Sequence, residues 1–384
     1  MHIAGGLYRE LCCVPLWNAV FGSGGRAAAA VSALSKSSTL HAYSQNFGSE
    51  DAMSLEMLGI DICLSPRPTD IVVAYFHTLS RPNIQPPPDE IERQPPLQVS
   101  GEAVLRFGFL EGDAIVDAHR AVYDPQTWRN PASFSENGSV ARELAIVLNE
   151  LELRSATGID ELSSAASRLM ESEGATVIVA KGGVRGAMVF EGGSRAAHVP
   201  AYRSSRVFKI GTGDVFSAIF AHYWAEGGLP AMEAADMASR SVGAYCSSSR
   251  LPLQDDILRY QVPVKSAAAG MVALEGSIDT IGQRYTMEEA RFLLRELGVE
   301  VTSPILDGTT SSTSTAAVLV LADGLGEEAA ELAQCAKAAG TPVVVLHESG
   351  ARAMSTSIGE AGVTITDDFV SALYFVAWAA AERV

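Results

Sequence analysis

Ile210-Gly211-Thr212-Gly213-Asp214-Val215-Phe216 packs two glycines, a hydroxyl and a carboxylate into one turn, then opens into an apolar segment. Phe216, Ile219, Phe220 and Tyr223 recur at i, i+3, i+4 and i+7, which predicts a helix beginning near Asp214. The N–H groups at a helix N-terminus lack intrahelical partners and carry partial positive charge, so they attract phosphate. Glycines on both sides of Thr212 let the backbone approach a ligand with no Cβ in the way. Asp214 would then stand beside a bound phosphate, placed to deprotonate a hydroxyl as it attacks the phosphoryl group. The plainer reading makes Asp214 an N-cap, where aspartate is favoured.

The segments upstream bear on that choice. Thr176-Val177-Ile178-Val179-Ala180 reads as a buried strand, followed by Lys181-Gly182-Gly183-Val184-Arg185-Gly186 and a second strand, Ala187–Phe190. Further upstream stand Asp124-Pro125 after a short apolar run, and Asn149-Glu150-Leu151-Glu152. In this order the motifs resemble the PfkB (ribokinase-like) family of sugar and nucleoside kinases, over residues 1–262. In that family an N-x-x-E element comes first, then a K/T-x-G-x-x-G turn, then G-[AT]-G-D opening a helix.

The resemblance implies a ribokinase-like three-layer α/β sandwich with a small β lid, using ATP and Mg2+. Asp214 would be the base, and the N–H groups of Gly211, Thr212 and Gly213 would neutralise the transferring group. Asn149 and Glu152 would hold the metal ion through water; otherwise they are a solvated helix end. Lys181, Gly183 and Gly186 would line the nucleotide, although a lysine at a strand end is often only solvated. The acceptor would be a hydroxymethyl group of a sugar or nucleoside. Asp214, sitting at a helix N-terminus, is expected to have a low pKa.

Composition narrows the alternatives. The 384 residues suffice for two domains or three. A hydrophobic content of 47% with 19% charged residues is that of a folded globular chain. The net charge of −17 argues against nucleic acid and anionic membranes as partners, both of which need a basic face. It does not argue against a nucleotide, which a few amides and a metal ion can hold. Five cysteines with no metal spacing, no basic-apolar leader and no run of membrane length predict a soluble, cytoplasmic protein.

Near the N-terminus, His2–Ala4 reads as a strand ending at Gly5-Gly6. Gly22-Ser23-Gly24-Gly25-Arg26 precedes an alanine-rich helix, Ala27–Leu34. Gly24 and Gly25 match the place where PfkB relatives approach the sugar; a tight strand-to-helix turn explains them as well. Many relatives carry asparagine shortly after these glycines, where this chain has Ala29. Strands are expected at Thr39–Tyr43, Ile71–Phe76 and Val104–Phe109, and helices at Glu50–Leu58, Val140–Val147, Glu161–Glu173 and Met232–Ser249. Six prolines between Arg81 and Pro96 mark a surface excursion. The resemblance makes this region a lid or a homodimer contact.

Around Pro252–Pro263 the pattern breaks, and residues 263–384 form a second alternating unit. Met271–Leu274, Val299–Val301, Ala317–Leu321, Val343–Leu346 and Val363–Ile365 read as strands. Thr286-Met287-Glu288-Glu289 reads as a capping box, and Thr309–Thr315 as a polar loop. The alternation predicts a smaller, flavodoxin-like parallel α/β domain. It resembles, more faintly, nucleoside 2-deoxyribosyltransferases and their glycosidase relatives. The corresponding residues would be Gly276-Ser277, Asp323, and Glu331 as nucleophile ahead of Gly340-Thr341-Pro342-Val343. The spacing is one residue long and Ala333 replaces a glycine, so a solvated helix face is the other reading of Glu331. The rival to the kinase reading as a whole is a nucleotide-binding pseudokinase that controls this second domain.

Overall fold

Leu144 to Leu148 are five consecutive apolar residues, all buried. Pattern alone placed a helix over Val140–Val147; the segment is instead a strand, Val140–Asn149. A continuous apolar run fits a buried helix or a strand covered on both faces equally well. Its neighbours decide the matter. It pairs in parallel with Ala114–Asp124 on one side and with Val177–Lys181 on the other.

The computed structural model describes residues 1–45, 50–127, 129, 131–192, 196–265, 270–308, 315–348 and 363–383. The chain divides into two compact units. The first comprises Met1–Gly182, Gly186–Ser204 and Phe208–Val262; the second comprises Gly183–Arg185, Ser205–Val207 and Pro263–Val384.

In the first unit the strands are β1 (His2–Ala4), β2 (Arg9–Val14), β3 (Trp17–Val20), β4 (Ser38–Ser44), β5 (Ile60–Pro66), β6 (Val72–His77) and β7 (Asn83–Gln85). They continue with β8 (Leu97–Phe107), β9 (Ala114–Asp124), β10 (Val140–Asn149), β11 (Val177–Lys181), β12 (Ala187–Glu191) and β13 (Ala197–Val199). The helices are α1 (Gly22–Val31), α2 (Glu50–Glu56), α3 (Glu150–Thr157), α4 (Leu162–Glu173), α5 (Thr212–Ala221), α6 (Ala231–Ser248) and α7 (Asp255–Arg259).

Nine strands form one mixed sheet in the order β13-β12-β11-β10-β9-β8-β1-β4-β5. Neighbours from β11 through β5 pair in parallel, while β12 and β13 join antiparallel at one edge. The order reverses at β1 and β8. At such a switch point the loops beyond the carboxyl ends of the strands diverge and leave a crevice for ligands. Residues of α1, α5 and α6 share one apolar core against the sheet, and those of α3 and α4 share another, which makes three layers.

A separate four-stranded sheet, β3-β2-β6-β7, belongs to the same unit. Of its strands only β6 was expected. β2 and β6 pair in parallel although some 60 residues of chain lie between them, so nothing local marks β2 as a strand. β7 lies inside the proline-rich excursion and pairs antiparallel with β6.

The second unit holds β14 (Val272–Gly276), β15 (Val301–Thr302), β16 (Ala317–Leu321), β17 (Val343–Leu346) and β18 (Val363–Thr366), all parallel, in the order β15-β14-β16-β17-β18. Its helices are α8 (Ile281–Glu296), α9 (Pro304–Asp307), α10 (Glu328–Ala338) and α11 (Phe369–Ala381). The capping box that opens α8 is Thr280 with Gln283, not Thr286 with Glu289. Thr280 Oγ1 accepts from Gln283 N at 3.2 Å, while Gln283 Oε1 accepts from Thr280 N at 3.0 Å. Thr286, one turn inside, donates instead to Gly282 O at 3.0 Å. The polar loop expected at Thr309–Thr315 lies outside the described residues except for Thr315. No helix among the described residues is long and apolar enough to cross a membrane.

Candidate active site

Helix α5 starts at Thr212, two residues before the expected position, with Gly211 as its N-cap at φ 73°. Asp214 is therefore the third helical residue, and the N-cap reading does not hold. The helix is buried nearly all round rather than on one face, which fits a segment at the centre of a core. Thr212 turns both its N–H and its hydroxyl toward Lys209 O, at 3.3 and 3.1 Å. No side chain caps the helix, and the first-turn N–H groups of Gly213 and Asp214 carry the partial positive charge of a helix N-terminus.

Gly211 owes its identity to Arg26 of α1. A Cβ there would overlap the Arg26 Nε and Cδ atoms. Arg26 is fully buried and ion-pairs with Glu10 of β2 through both terminal nitrogens. Its Nε donates to the Tyr245 hydroxyl at 3.2 Å, and that hydroxyl donates to Ile210 O at 3.1 Å. The guanidinium also lies over the Phe21 ring, 5.0 Å from its centroid. This chain of contacts pins the turn that precedes α5.

A second cluster grips the same helix from the end of β9. Asp124 Oδ2 accepts from Lys181 Nζ at 2.7 Å and from Ser217 Oγ at 2.7 Å. Two residues on, the Gln126 side-chain amide donates to Asp214 Oδ1 at 2.6 Å. Lys181 closes β11, and its ammonium lies 3.5 Å from where a Cβ on Gly213 would be. The carboxyl ends of β9 and β11 thus meet the first turn of α5.

Electrostatics here run against the expectation of a low Asp214 pKa. Burial raises it above the ordinary aspartate value, although Arg26 and the Gln126 hydrogen bond pull it down. The helix terminus is too weak a positive centre to outweigh loss of water around a buried carboxylate. Burial also opposes the charge of Lys181, but Asp124 and Glu152 outweigh it and leave the ammonium more basic than usual. Glu152 is raised by burial first and by the Asp124 charge second.

Asn149 and Glu152 form a reciprocal capping box on α3 rather than a solvated end. Glu152 N donates to Asn149 Oδ1 at 2.9 Å, and Asn149 N donates to Glu152 Oε2 at 2.7 Å. These bonds engage Asn149 Oδ1 and one Glu152 oxygen, and no cluster of three metal-binding side chains occurs among the described residues. A hydrated Mg2+ fits better, since it keeps several waters and needs one or two carboxylates plus phosphates. The raised Glu152 carboxyl, beside Asp124, marks a place where added positive charge is favourable.

The glycines divide by cause. Gly186 has φ 86°, and a Cβ there would overlap the backbone of Val199–Ala201; Gly182 N donates to Gly186 O at 2.7 Å to close the turn. Gly183, at φ 61°, opens a short 3₁₀ turn and falls in the second unit. Gly24 and Gly25 lie inside α1, which begins at Gly22 rather than at Ala27. A Cβ on Gly24 would come within 2.6 Å of the Gly5 carbonyl, and the N–H groups of both glycines point to Gly6 O. Close packing of α1 on the Gly5 backbone accounts for Gly24, whereas a Cβ on Gly25 would crowd only the end of the Leu7 side chain, at 2.9 Å. Ala29 is fully buried in the apolar core. In the second unit Glu331 is exposed on α10, whose buried residues are Ala329 and Ala333. Asp323 Oδ2 accepts from Glu348 N at 2.8 Å, tying together the ends of β16 and β17.

Sequence reading missed Arg26, Glu10, Gln126 and Ser217. One signal was available: Arg26 opens a run of four alanines, where a lone charge beside apolar neighbours needs a partner.

A family model described as pfkB family carbohydrate kinase matches residues 140–250. No curated protein matches the chain significantly. Among solved structures, it is similar to ribokinase from Thermotoga maritima, at 16% identity over 67% of this chain and 97% of that one, TM-score 0.49. It is similar to Arabidopsis thaliana ribokinase complexed with ribose and ATP, at 14% identity over 67% and 97%, TM-score 0.49. The nucleoside kinase of Methanocaldococcus jannaschii is 12% identical over 67% and 97%, TM-score 0.49.

Proposed function

We propose that residues 1–262 form a ribokinase-like kinase domain that transfers a phosphoryl group from ATP to a hydroxymethyl group of a sugar or nucleoside. The observation that carries this reading is the buried Asp214 carboxylate in the first turn of α5, beside the N–H groups of that turn and the Lys181 ammonium. The match to the carbohydrate kinase model supports it, because residues 140–250 include Asn149, Glu152, Lys181, Gly183, Gly186 and Gly211 to Asp214.

In this reaction the acceptor hydroxyl gives its proton to Asp214 as its oxygen bonds to the γ-phosphorus. The bond from phosphorus to the bridging oxygen breaks, and ADP leaves with that electron pair. Phosphoryl transfer of this kind depends on positioning and charge stabilisation more than on covalent chemistry. The N–H groups of Gly213 and Asp214 face the transferring group, and Lys181 adds positive charge next to them. A raised Asp214 pKa suits a base better than the low value expected from its helix position, since it holds the abstracted proton more firmly. Glu152 with Asn149 would hold a hydrated Mg2+ through water, and that ion would supply charge neutralisation for the phosphates.

Residues 263–384 enter the proposal as a separate flavodoxin-like domain. In the unit's own numbering its strand order is 2-1-3-4-5, that of doubly wound flavodoxin-like sheets. A glycosidase or deoxyribosyltransferase step at Glu331 is not part of the proposal, because that carboxylate is exposed on its helix. The test is a phosphate-transfer screen with ATP-Mg2+ against pentoses, hexoses and nucleosides. Turnover of an acceptor that depends on Asp214 supports the kinase. Nucleotide binding with no acceptor turned over sinks it in favour of a regulatory nucleotide-binding module.

A further inference from the structure

Gln126 has no part in the reaction just described, yet its position is costly to build. It follows Asp124-Pro125 at the end of β9 and adopts left-handed backbone at φ 58°, uncommon for a residue other than glycine. Backbone of this kind persists where its surroundings over-determine it. Its own N–H donates to Asp124 Oδ1 at 3.2 Å. Below it, Gly108 N donates to Asp124 O at 2.9 Å, and a Cβ on Gly108 would overlap Pro125 O.

The turn grips α5 at two points. Asp124 takes the Ser217 hydroxyl, and Gln126 gives its amide to Asp214 Oδ1. Asp214 and Ser217 are i and i+3, so both grips fall on one face of the helix. We infer that Gln126 is a positioning residue for Asp214, its amide fixing Oδ1 so that Oδ2 is the oxygen presented to the acceptor's proton. The catalytic meaning of this rests on the kinase reading above; the coupling of the two side chains does not.

An amide nitrogen can only donate, so this bond favours the charged carboxylate. Every element around Asp214 brings a group into the balance. Arg26 of α1 and Lys181 of β11 favour the charge; Glu10 of β2 and Asp124 of β9 oppose it; Tyr75 of β6 and Tyr245 of α6 are phenols that stay neutral. Removing the Gln126 amide leaves burial less opposed, so the Asp214 carboxyl should titrate at a higher pH.

The test uses the full chain with Gln126→Gly, which keeps the left-handed backbone without strain and removes only the side chain. Gln126→Asn also tolerates that backbone but is one methylene short of Asp214. Two readouts are taken: a 13C carboxyl titration of labelled aspartates, with Asp214 assigned by its absence in Asp214→Asn, and the pH profile of phosphoryl transfer. In both variants the Asp214 titration should move up by about one pH unit, and the acidic limb of kcat/KM should move with it. At a pH below that limb kcat should fall about tenfold while KM for ATP holds. An unmoved carboxyl in both variants overturns the inference, whether or not the protein is a kinase. A carboxyl that moves in the variants while the wild-type protein phosphorylates nothing upholds the coupling and removes the kinase reading instead. A moved carboxyl with an unmoved acidic limb overturns the catalytic role of Gln126.

Discussion

The Arg26 guanidinium fills the space that a Cβ on Gly211 would occupy. One residue is fully buried in α1 and the other caps α5, so the position of the glycine turn depends on a side chain 185 residues earlier in the chain. Gly211→Ala tests that dependence. Left-handed backbone costs a non-glycine residue about 1–2 kcal/mol, and overpacking adds about 1–3 kcal/mol. The variant should lose about 3 kcal/mol in denaturant unfolding and lose phosphoryl transfer. A loss below about 1 kcal/mol would show that Arg26 moves aside easily.

Arg26 and Glu10 should behave as a coupled pair. Burial raises the Glu10 carboxyl, and the Arg26 charge is the largest influence opposing that rise. Arg26→Met leaves that carboxylate buried without its partner, which costs about 3–5 kcal/mol. The double variant Glu10→Gln with Arg26→Met should recover part of the loss, since no unpaired charge remains. A double-variant cycle that proved additive would mean that the ion pair contributes nothing specific.

Asp214→Asn should abolish transfer, retain ATP binding and raise stability at neutral pH. The folded chain holds the Asp214 proton to a higher pH than the unfolded chain does. The stability linked to that proton is therefore present below roughly pH 4 and is lost as pH rises through the folded-state value. Asparagine carries no such penalty and can still accept from the Gln126 amide. Melting temperatures of the two proteins from pH 3 to 8 should diverge upward in pH. Curves that stayed parallel would contradict the raised carboxyl.

Residues 1–262 expressed alone should unfold in one cooperative transition, because both sheets of the first unit and the cores on the two faces of its main sheet are complete within that span. Thermal unfolding of the fragment beside the whole chain measures this. An insoluble or uncooperative fragment would place the domain boundary elsewhere.

Glu331→Ala should change stability by no more than about 0.5 kcal/mol, as for surface positions generally. Nucleosides incubated with the whole protein should release no free base before or after the change. Base release that vanished in the variant would restore the deoxyribosyltransferase reading of the tail.

Much of the architecture was legible because its signals are local. Gly174 closes α4 in left-handed backbone at φ 65°, where the pattern had ended that helix. The strand β11 and the Lys181–Gly186 turn stand where a short apolar run meets glycines. The Asn149/Glu152 pair was legible only as a spaced motif; the sequence reading set it at the end of a helix, whereas it caps the start of α3. β10 was not legible as a strand, because five apolar residues in a row carry no period and only its sheet neighbours tell strand from helix.

By itself the sequence determined the alternating α/β character and a glycine turn opening an apolar helix with a carboxylate in its first turn. Those properties depend on neighbours within a few residues, where steric and hydrogen-bonding preferences act directly. Only the tertiary structure decided what surrounds that carboxylate. Gln126 reaches Asp214 across 88 residues and Arg26 reaches Tyr245 across 219. Burial then raised the Asp214 pKa that helix position alone would lower, because removal of water from a charge outweighs the field of a helix end.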